Sequence, residues 1–192
     1  MSWRSMNEPA PPSLALIELS SIARGIDTTD RMLKAAEVKL VLARTICSGK
    51  YMVMVAGELA EVEASVAAGL DCSREATIDH FIIPDVHPAV FPAVSGTSLV
   101  ALHKGALGVI ESFSVAALVE AIDRVAKEAA IEVVACRLAM ALGGKAYLTF
   151  TGEVEAVRYA MAAGVAVVAA RGLLVNAVLI PNPRPELFHA LA

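Results

Sequence analysis

No stretch of this sequence is both long enough and unbroken enough to cross a bilayer. Hydrophobic content of 57% and a mean hydropathy of +0.63 are high. Yet the uncharged stretch 159–170 is too short for a span, and the apolar region 86–103 is broken by Pro88, Pro92 and Gly96. A basic excess is missing too. The formal charge is -4 and the isoelectric point about 5.6, which excludes a binder that works by neutralising phosphates. Neither nucleic acid nor membrane is an expected partner. Cysteine is scarce, with three residues in no paired spacing, so a disulfide framework is excluded and a reducing compartment expected. Residues 1–13 are polar and carry Arg4 but no apolar core of signal-peptide length, and read as the disordered tail of a cytosolic protein.

Chemistry-bearing patterns are equally sparse. His80, His87, His103 and His189 lack the spacing of a zinc site. Gly143-Gly144-Lys145 lacks the remainder of a phosphate-cradling GxxxxGK[ST] loop and reads as a turn. No nucleophile, base and oxyanion donors come together, so an enzyme is not expected. Cys72, at the end of an alanine-rich helix, and Cys136, in a strand, read as buried structural thiols.

What the chain does contain is itself, twice. Ala15-Leu16-Ile17-Glu18 is echoed by Gly108-Val109-Ile110-Glu111, and Asp30-Arg31 with Lys34 by Asp123-Arg124 with Lys127, all at an offset of 93 residues. Gly49-Lys50 and Gly57-Glu58 return as Gly144-Lys145 and Gly152-Glu153 at an offset of 95. Ile83-Pro84 with Pro88 and Phe91 returns as Ile180-Pro181 with Pro185 and Phe188 at 97. Ordered, growing offsets describe one duplicated domain with two small insertions. Duplication also explains why the carboxylates Glu18 and Glu111 recur, which removes the case for reading them as a catalytic pair.

Each copy reads as β-α-β-turn-β-α-β-tail. In the first, residues 14–19, 38–45, 51–56 and 77–83 are predicted strands. A helix is expected to start in the polar run Asp27-Thr28-Thr29-Asp30, and a second spans 58–72 with Leu59, Val62, Val66 and Leu70 at helical spacing. Glu58, Glu61 and Glu63 read as a solvated face whose acidity suits a helix start. Helices on one face of a largely antiparallel sheet make the class α+β. The expected division is a tail at 1–13, a domain at 14–94, a linker at 95–105 and a second domain at 106–192. The apolar excess, mostly alanine and valine in short elements, suits a chain buried against other subunits, so an obligate oligomer is expected.

The turn Thr45-Ile46-Cys47-Ser48-Gly49-Lys50 joins two predicted strands, with Ser-Gly supplying the positive backbone dihedral of a tight turn. A thiol at such a tip is unusual, since cysteines usually sit in cores. One cysteine alone does not hold a metal, whereas three symmetry copies of it can.

The stretch DRMLKAA at 30–36, the turn ICSGK at 46–50, VAGELAEVEASV at 55–66 and the tails IPDVHPAVFP and IPNPRPELF together resemble the bacterial microcompartment shell-protein family, over nearly the whole chain. Within it they are most similar to the tandem-domain class that forms trimers, in particular the iron-sulfur-bearing trimers of propanediol-utilising compartments. The resemblance implies two tandem ferredoxin-like shell domains and a pseudohexameric homotrimer that tiles a shell facet in the cytoplasm. The turns of all six domains would meet at the central pore, lined by Ile46, Cys47, Ser48, Gly49, Leu142, Gly143 and Gly144. Three copies of Cys47 would bind a [4Fe-4S] cluster, or line a pore that passes small metabolites. Lys34, Lys127, His87 and Arg184 match tile-edge positions facing other shell proteins, and encapsulated redox enzymes are the implied electron partners. Two departures stand out. Asp85 and Asn182 replace the common edge arginine after Ile-Pro, and Ser48 stands where the cluster-bearing turn, of the form TICPGK, has proline. A metabolite-binding regulatory oligomer that forms no shell is the alternative, because duplicated ferredoxin-like domains bind ligands at subunit interfaces.

Overall fold

The computed structural model describes residues 11–97, 105–139 and 142–191. By its contacts the chain divides into two compact units between Pro88 and Ala89. The first runs β1 (Ser13–Leu19), α1 (Ile22–Ala35), β2 (Lys39–Ile46), β3 (Lys50–Gly57), α2 (Leu59–Ser73), a single 3-10 turn and β4 (Thr77–Ile83). The second opens with the short helix α3 (Val90–Ser95) and continues β5 (Ala106–Ser112), α4 (Val115–Glu128), β6 (Glu132–Leu138), β7 (Ala146–Gly152), α5 (Val154–Ala170), β8 (Leu174–Ile180) and α6 (Pro185–Leu191). Each unit holds one antiparallel four-stranded sheet, in the order β2-β3-β1-β4 and β6-β7-β5-β8. The expected α+β architecture is therefore present in both copies.

The copies agree down to their irregularities. The β1–β4 register shifts between Glu18 and Leu19, and the β5–β8 register between Glu111 and Ser112. The β2–β3 pairing slips between Leu40 and Leu42, and β6–β7 between Val133 and Ala135. An extra residue in an edge strand bends it and breaks the row of open hydrogen-bonding groups that would otherwise invite further pairing.

Alternation along the strands puts Ala15, Ile17 and Leu19 of β1 with Tyr51, Val53 and Val55 of β3 on the helix side. There they pack with Met32 of α1 and with Val62 and Val66 of α2. Glycine lets the helices approach. A Cβ on Gly69 would lie 2.7 Å from Ile17 Cδ1 and 2.8 Å from Met32 Cγ, and one on its counterpart Gly164 would lie 2.6 Å from Val125 Cγ2. The same volume is filled differently in the two copies. Gly25 leaves room for the Tyr51 ring, which a Cβ would meet at 2.4 Å, whereas the matching positions in the second copy hold the buried pair Leu118 and Ala146.

Three expectations change. α1 begins at Ile22, five residues before the expected start, because Ser21 is in extended conformation and its hydroxyl accepts the Arg24 amide at 3.3 Å. Asp27 instead faces outward and accepts from Arg24 Nη1 at 3.0 Å. The tails, read only as tails, contain α3 and α6. Ser13 is buried in β1, whereas residues 1–10 of the expected tail and 98–104 of the expected linker lie outside the described residues. No helix among the described residues is long and apolar enough to cross a membrane.

Candidate functional site

The hairpin β2–β3 closes on the pair Ile46↔Lys50, leaving Cys47, Ser48 and Gly49 as its tip. Ser48 and Gly49 both take left-handed conformations, with φ of 68° and 72°. For a serine this costs about 1 kcal/mol, which glycine avoids. Cys47 is partly buried beside them and is in no disulfide. In the second copy Gly143 and Gly144 have φ of 61° and 85°, and the Lys145 amide donates to the Leu142 carbonyl at 3.1 Å. The two tips thus share a backbone signature in which Ser48-Gly49 corresponds to Gly143-Gly144 and Cys47 to Leu142. Position for position, a thiol in the first domain is replaced by an aliphatic side chain in the second. The second tip is longer, spanning the residues between Leu138 and Ala146, of which 140–141 lie outside the described residues. Proline's ring holds φ near -65°, so the value at Ser48 is closed to it, and this tip does not have the backbone of a Cys-Pro-Gly turn.

Each tip is held at its base by a charge pair. Lys50 Nζ donates to Glu18 Oε1 at 2.9 Å, and Lys145 Nζ lies 2.7 Å from Glu111 Oε1. The recurring carboxylates are structural anchors, reaching from β1 and β5 to the residue that follows each turn.

Donor chemistry bears on the implied cluster. Thiolates are what iron-sulfur clusters take. One chain brings one thiol to this tip, and among the described residues no group of three His, Cys, Asp or Glu side chains within the chain is arranged to hold a metal ion. The residues fit a cluster only where tips of several chains meet. Cys136 is buried in β6, as expected, but Cys72 is only partly buried. Its thiol donates to Asp27 Oδ2 at 3.4 Å, at a concavity of about 550 Å³ bordered by Arg24, Arg31, Lys34 and Arg74.

The four remaining positions are spread over the elements. Lys34 and Lys127 occupy the last turns of α1 and α4, each bonded to an aspartate one turn back, Asp30 at 2.6 Å and Asp123 at 2.7 Å. His87 is partly buried just before α3. Arg184 is exposed immediately before α6, with its Nε 3.7 Å from Glu186 Oε2. Asp85 and Asn182, in the place of the edge arginine, have φ of 51° and 49°, a region that Asp and Asn enter more readily than most residues. Glu61, read as part of a solvated face, accepts the Glu37 amide at 2.8 Å and so ties the end of α1 to α2.

The duplicated four-stranded unit corresponds to a known family. The BMC domain model matches residues 13–86 and again 106–183, and the chain belongs to that family. Over 179 residues it is 34% identical to the bacterial microcompartment shell protein PduT of Citrobacter freundii, covering 93% of this chain and 97% of that one. The carboxysome shell protein CcmK2 of Synechococcus elongatus is 37% identical over 81 residues, covering 40% of this chain and 79% of that one. A microcompartment protein of Desulfitobacterium hafniense, solved by crystallography, superposes with a TM-score of 0.86 at 45% identity, covering 92% of this chain and 98% of that one. The chain is thus a structural shell protein of a bacterial microcompartment, and the expected location in such a shell, in the cytoplasm, follows from this membership.

Proposed function

We propose that three copies form a pseudohexagonal facet tile in which six hairpin tips surround a central pore, and that three Cys47 thiolates there hold a [4Fe-4S] cluster. The observation that carries this reading is the shared left-handed pair at Ser48-Gly49 and Gly143-Gly144, combined with Cys47 in one tip and Leu142 in the other. In a ring of six domains the two tips alternate. The chemistry on the axis is then threefold, three thiols between three leucines, so that three irons of the cluster would take Cys47 sulfurs and the fourth would take water or another donor in place of the usual fourth cysteine.

A bound cluster would supply one-electron transfer across the shell. Cys47 would be its ligand from each chain, Ile46 and Leu142 would shield the axis from water, and Gly49, Gly143 and Gly144 would let the tips approach without side-chain collision. Lys34, Lys127, His87 and Arg184 would face neighbouring tiles and other shell proteins at the perimeter. An encapsulated redox enzyme would exchange electrons on the luminal side. The protein itself is proposed to have no catalytic activity.

Anaerobically purified protein should contain iron and sulfide in cluster stoichiometry, with broad visible absorption that disappears in Cys47→Ser. Colourless, iron-free protein after anaerobic reconstitution would exclude the cluster and leave solute passage as the role of the pore. Electron microscopy of concentrated protein tests the tile, for which extended hexagonal layers are expected.

A further inference from the structure

The concavity beside Cys72 lies wholly within the first unit, between α1 and the end of α2, and its walls carry charge that the second domain cancels. From α1 come Arg24, Asp27, Arg31 and Lys34, which spacings of three and four residues put on one helical face. Asp71 and Arg74 come from the last turn of α2 and the residue that follows it.

At an offset of 93 the second domain has Ala117 for Arg24, Glu120 for Asp27, Arg124 for Arg31 and Glu128 for Ala35, and at 97 it keeps Arg171 for Arg74. There both guanidinium groups are closed by acids. Arg171 Nη2 meets Glu120 Oε2, and Arg124 Nη2 lies 3.2 Å from Glu128 Oε2. In the first domain both closures are undone. Ala35 offers no carboxylate to Arg31, and the shorter Asp27 is drawn to Arg24, whose Nη1 donates to Oδ2 at 3.0 Å. The same oxygen takes the Cys72 thiol at 3.4 Å, while Oδ1 lies 3.9 Å from Arg31 Nε, too far for a hydrogen bond. Arg74 turns its Nε to the Asp71 carbonyl at 3.2 Å.

Donors are left over as a result. A guanidinium carries five N–H groups. Among the described residues the side chains of Arg24 and Arg74 each spend one nitrogen on a hydrogen bond and that of Arg31 spends none. Four cations here face three carboxylates, Asp27, Asp30 and Asp71, where three face three in the second domain. Unspent forks around an open hollow fit an anion. A carboxylate fills one fork, whereas the oxygens of a phosphate fill two or three. The volume of about 550 Å³ lies in the range of small-molecule sites and leaves room for more than a phosphate ion.

We propose that this concavity binds the phosphate group of a small phosphomonoester, held between Arg24, Arg31 and Arg74 with Lys34 at the rim. The site is built by the first unit alone and does not depend on the tile reading, in which only Lys34 also figures.

The test is calorimetric titration of the full-length protein with glycerol 3-phosphate, inorganic phosphate and acetate, all at one ionic strength. Glycerol 3-phosphate should bind most tightly, once per chain. Arg31→Gln should weaken it about tenfold or more, the loss of a hydrogen bond between charged groups. Arg124→Gln, which removes the same charge at the equivalent place in the second domain, should leave it unchanged. Arg31 is 67% exposed, and circular dichroism melts verify that both variants are folded. Cys72 locates the site. The ratio of its labelling by iodoacetate to its labelling by neutral iodoacetamide cancels the thiol's own reactivity, and should fall roughly fivefold in Arg31→Gln, the effect of one nearby unit charge. Inorganic phosphate bound as tightly as the monoester would keep the site and make the free ion its occupant. Acetate bound as tightly as either, equal affinities in Arg31→Gln and Arg124→Gln, an unchanged labelling ratio, or no saturable heat with any of the three would each overturn the proposal and leave the tile standing.

Discussion

Glu18 and Lys50 are 32 residues apart in sequence, yet Lys50 Nζ lies 2.9 Å from a Glu18 carboxylate whose side chain is only 3% exposed. The duplicate pair, Glu111 and Lys145, keeps the contact at 2.7 Å but leaves Glu111 32% exposed. Equal geometry in unequal burial predicts unequal consequences. Removing one partner of a buried pair strands a charge away from water, and costs about 3 kcal/mol or more, whereas a solvated pair contributes about 1 kcal/mol or less. Lys50→Met should therefore lower unfolding free energy in urea by roughly 3 kcal/mol, and Lys145→Met by roughly 1 kcal/mol. Equal losses in the two variants would show that burial does not set the cost.

The left-handed conformation at Ser48 makes the tip sensitive in opposite directions to two small substitutions. Ser48→Gly relieves the Cβ crowding and should raise stability by about 1 kcal/mol. Ser48→Pro demands a φ the native loop does not have, and should lower stability by about 3 kcal/mol or rebuild the loop. Denaturant midpoints of the two variants against wild type decide this, and a neutral Ser48→Pro would contradict the tip geometry.

Gly25 and Tyr51 share a volume that Leu118 and Ala146 divide the other way round. Gly25→Leu alone should overpack the first domain by about 3 kcal/mol. Adding Tyr51→Ala, which transplants the second domain's pair, should recover most of that loss. The measurement is a double-mutant cycle in urea, with a coupling of at least about 1 kcal/mol expected and strict additivity counting against it.

Ser21 and Asp27 compete as starts for α1, and the structure assigns the cap to Ser21. Ser21→Ala should cost about 1 kcal/mol. Asp27→Ala should cost less, about 0.5 kcal/mol, since its contacts with Arg24 and Arg31 are exposed ion pairs. Thermal melts that rank the two in the reverse order would place the helix start later.

Much of the fold was readable before any coordinates. The ordered offsets placed eight strands and four main helices, since periodicity and repeats are properties of neighbouring residues along the chain. The start of α1 was not readable, because Ser20-Ser21 and Asp27-Thr28-Thr29-Asp30 offer equally good capping chemistry, and packing of Gly25, Thr28 and Met32 selects the earlier one. α3 and α6 were missed because each is about two turns or less and contains proline, so their helical pattern is too short to register. The candidate site was legible as a thiol at a turn between strands. Its equivalence to Leu142 in the second tip followed from the 95-residue offset, whereas the left-handed pair shared by the two tips did not, since backbone dihedrals at Ser48 and Gly143 are set by how each turn closes.

Local sequence was enough to establish that the chain is one α+β unit used twice, because a duplicated order of apolar, glycine and proline positions leaves few other folds open. It did not reveal that Glu18 anchors Lys50, that Tyr51 sits in the space left by Gly25, or that Arg171 closes on Glu120 while Arg74 leaves Asp27 to Arg24. Those facts concern residues that meet only after the sheets form. Two stretches with nearly the same pattern then find different neighbours, and burial, unlike pattern, belongs to the surroundings rather than to the residue.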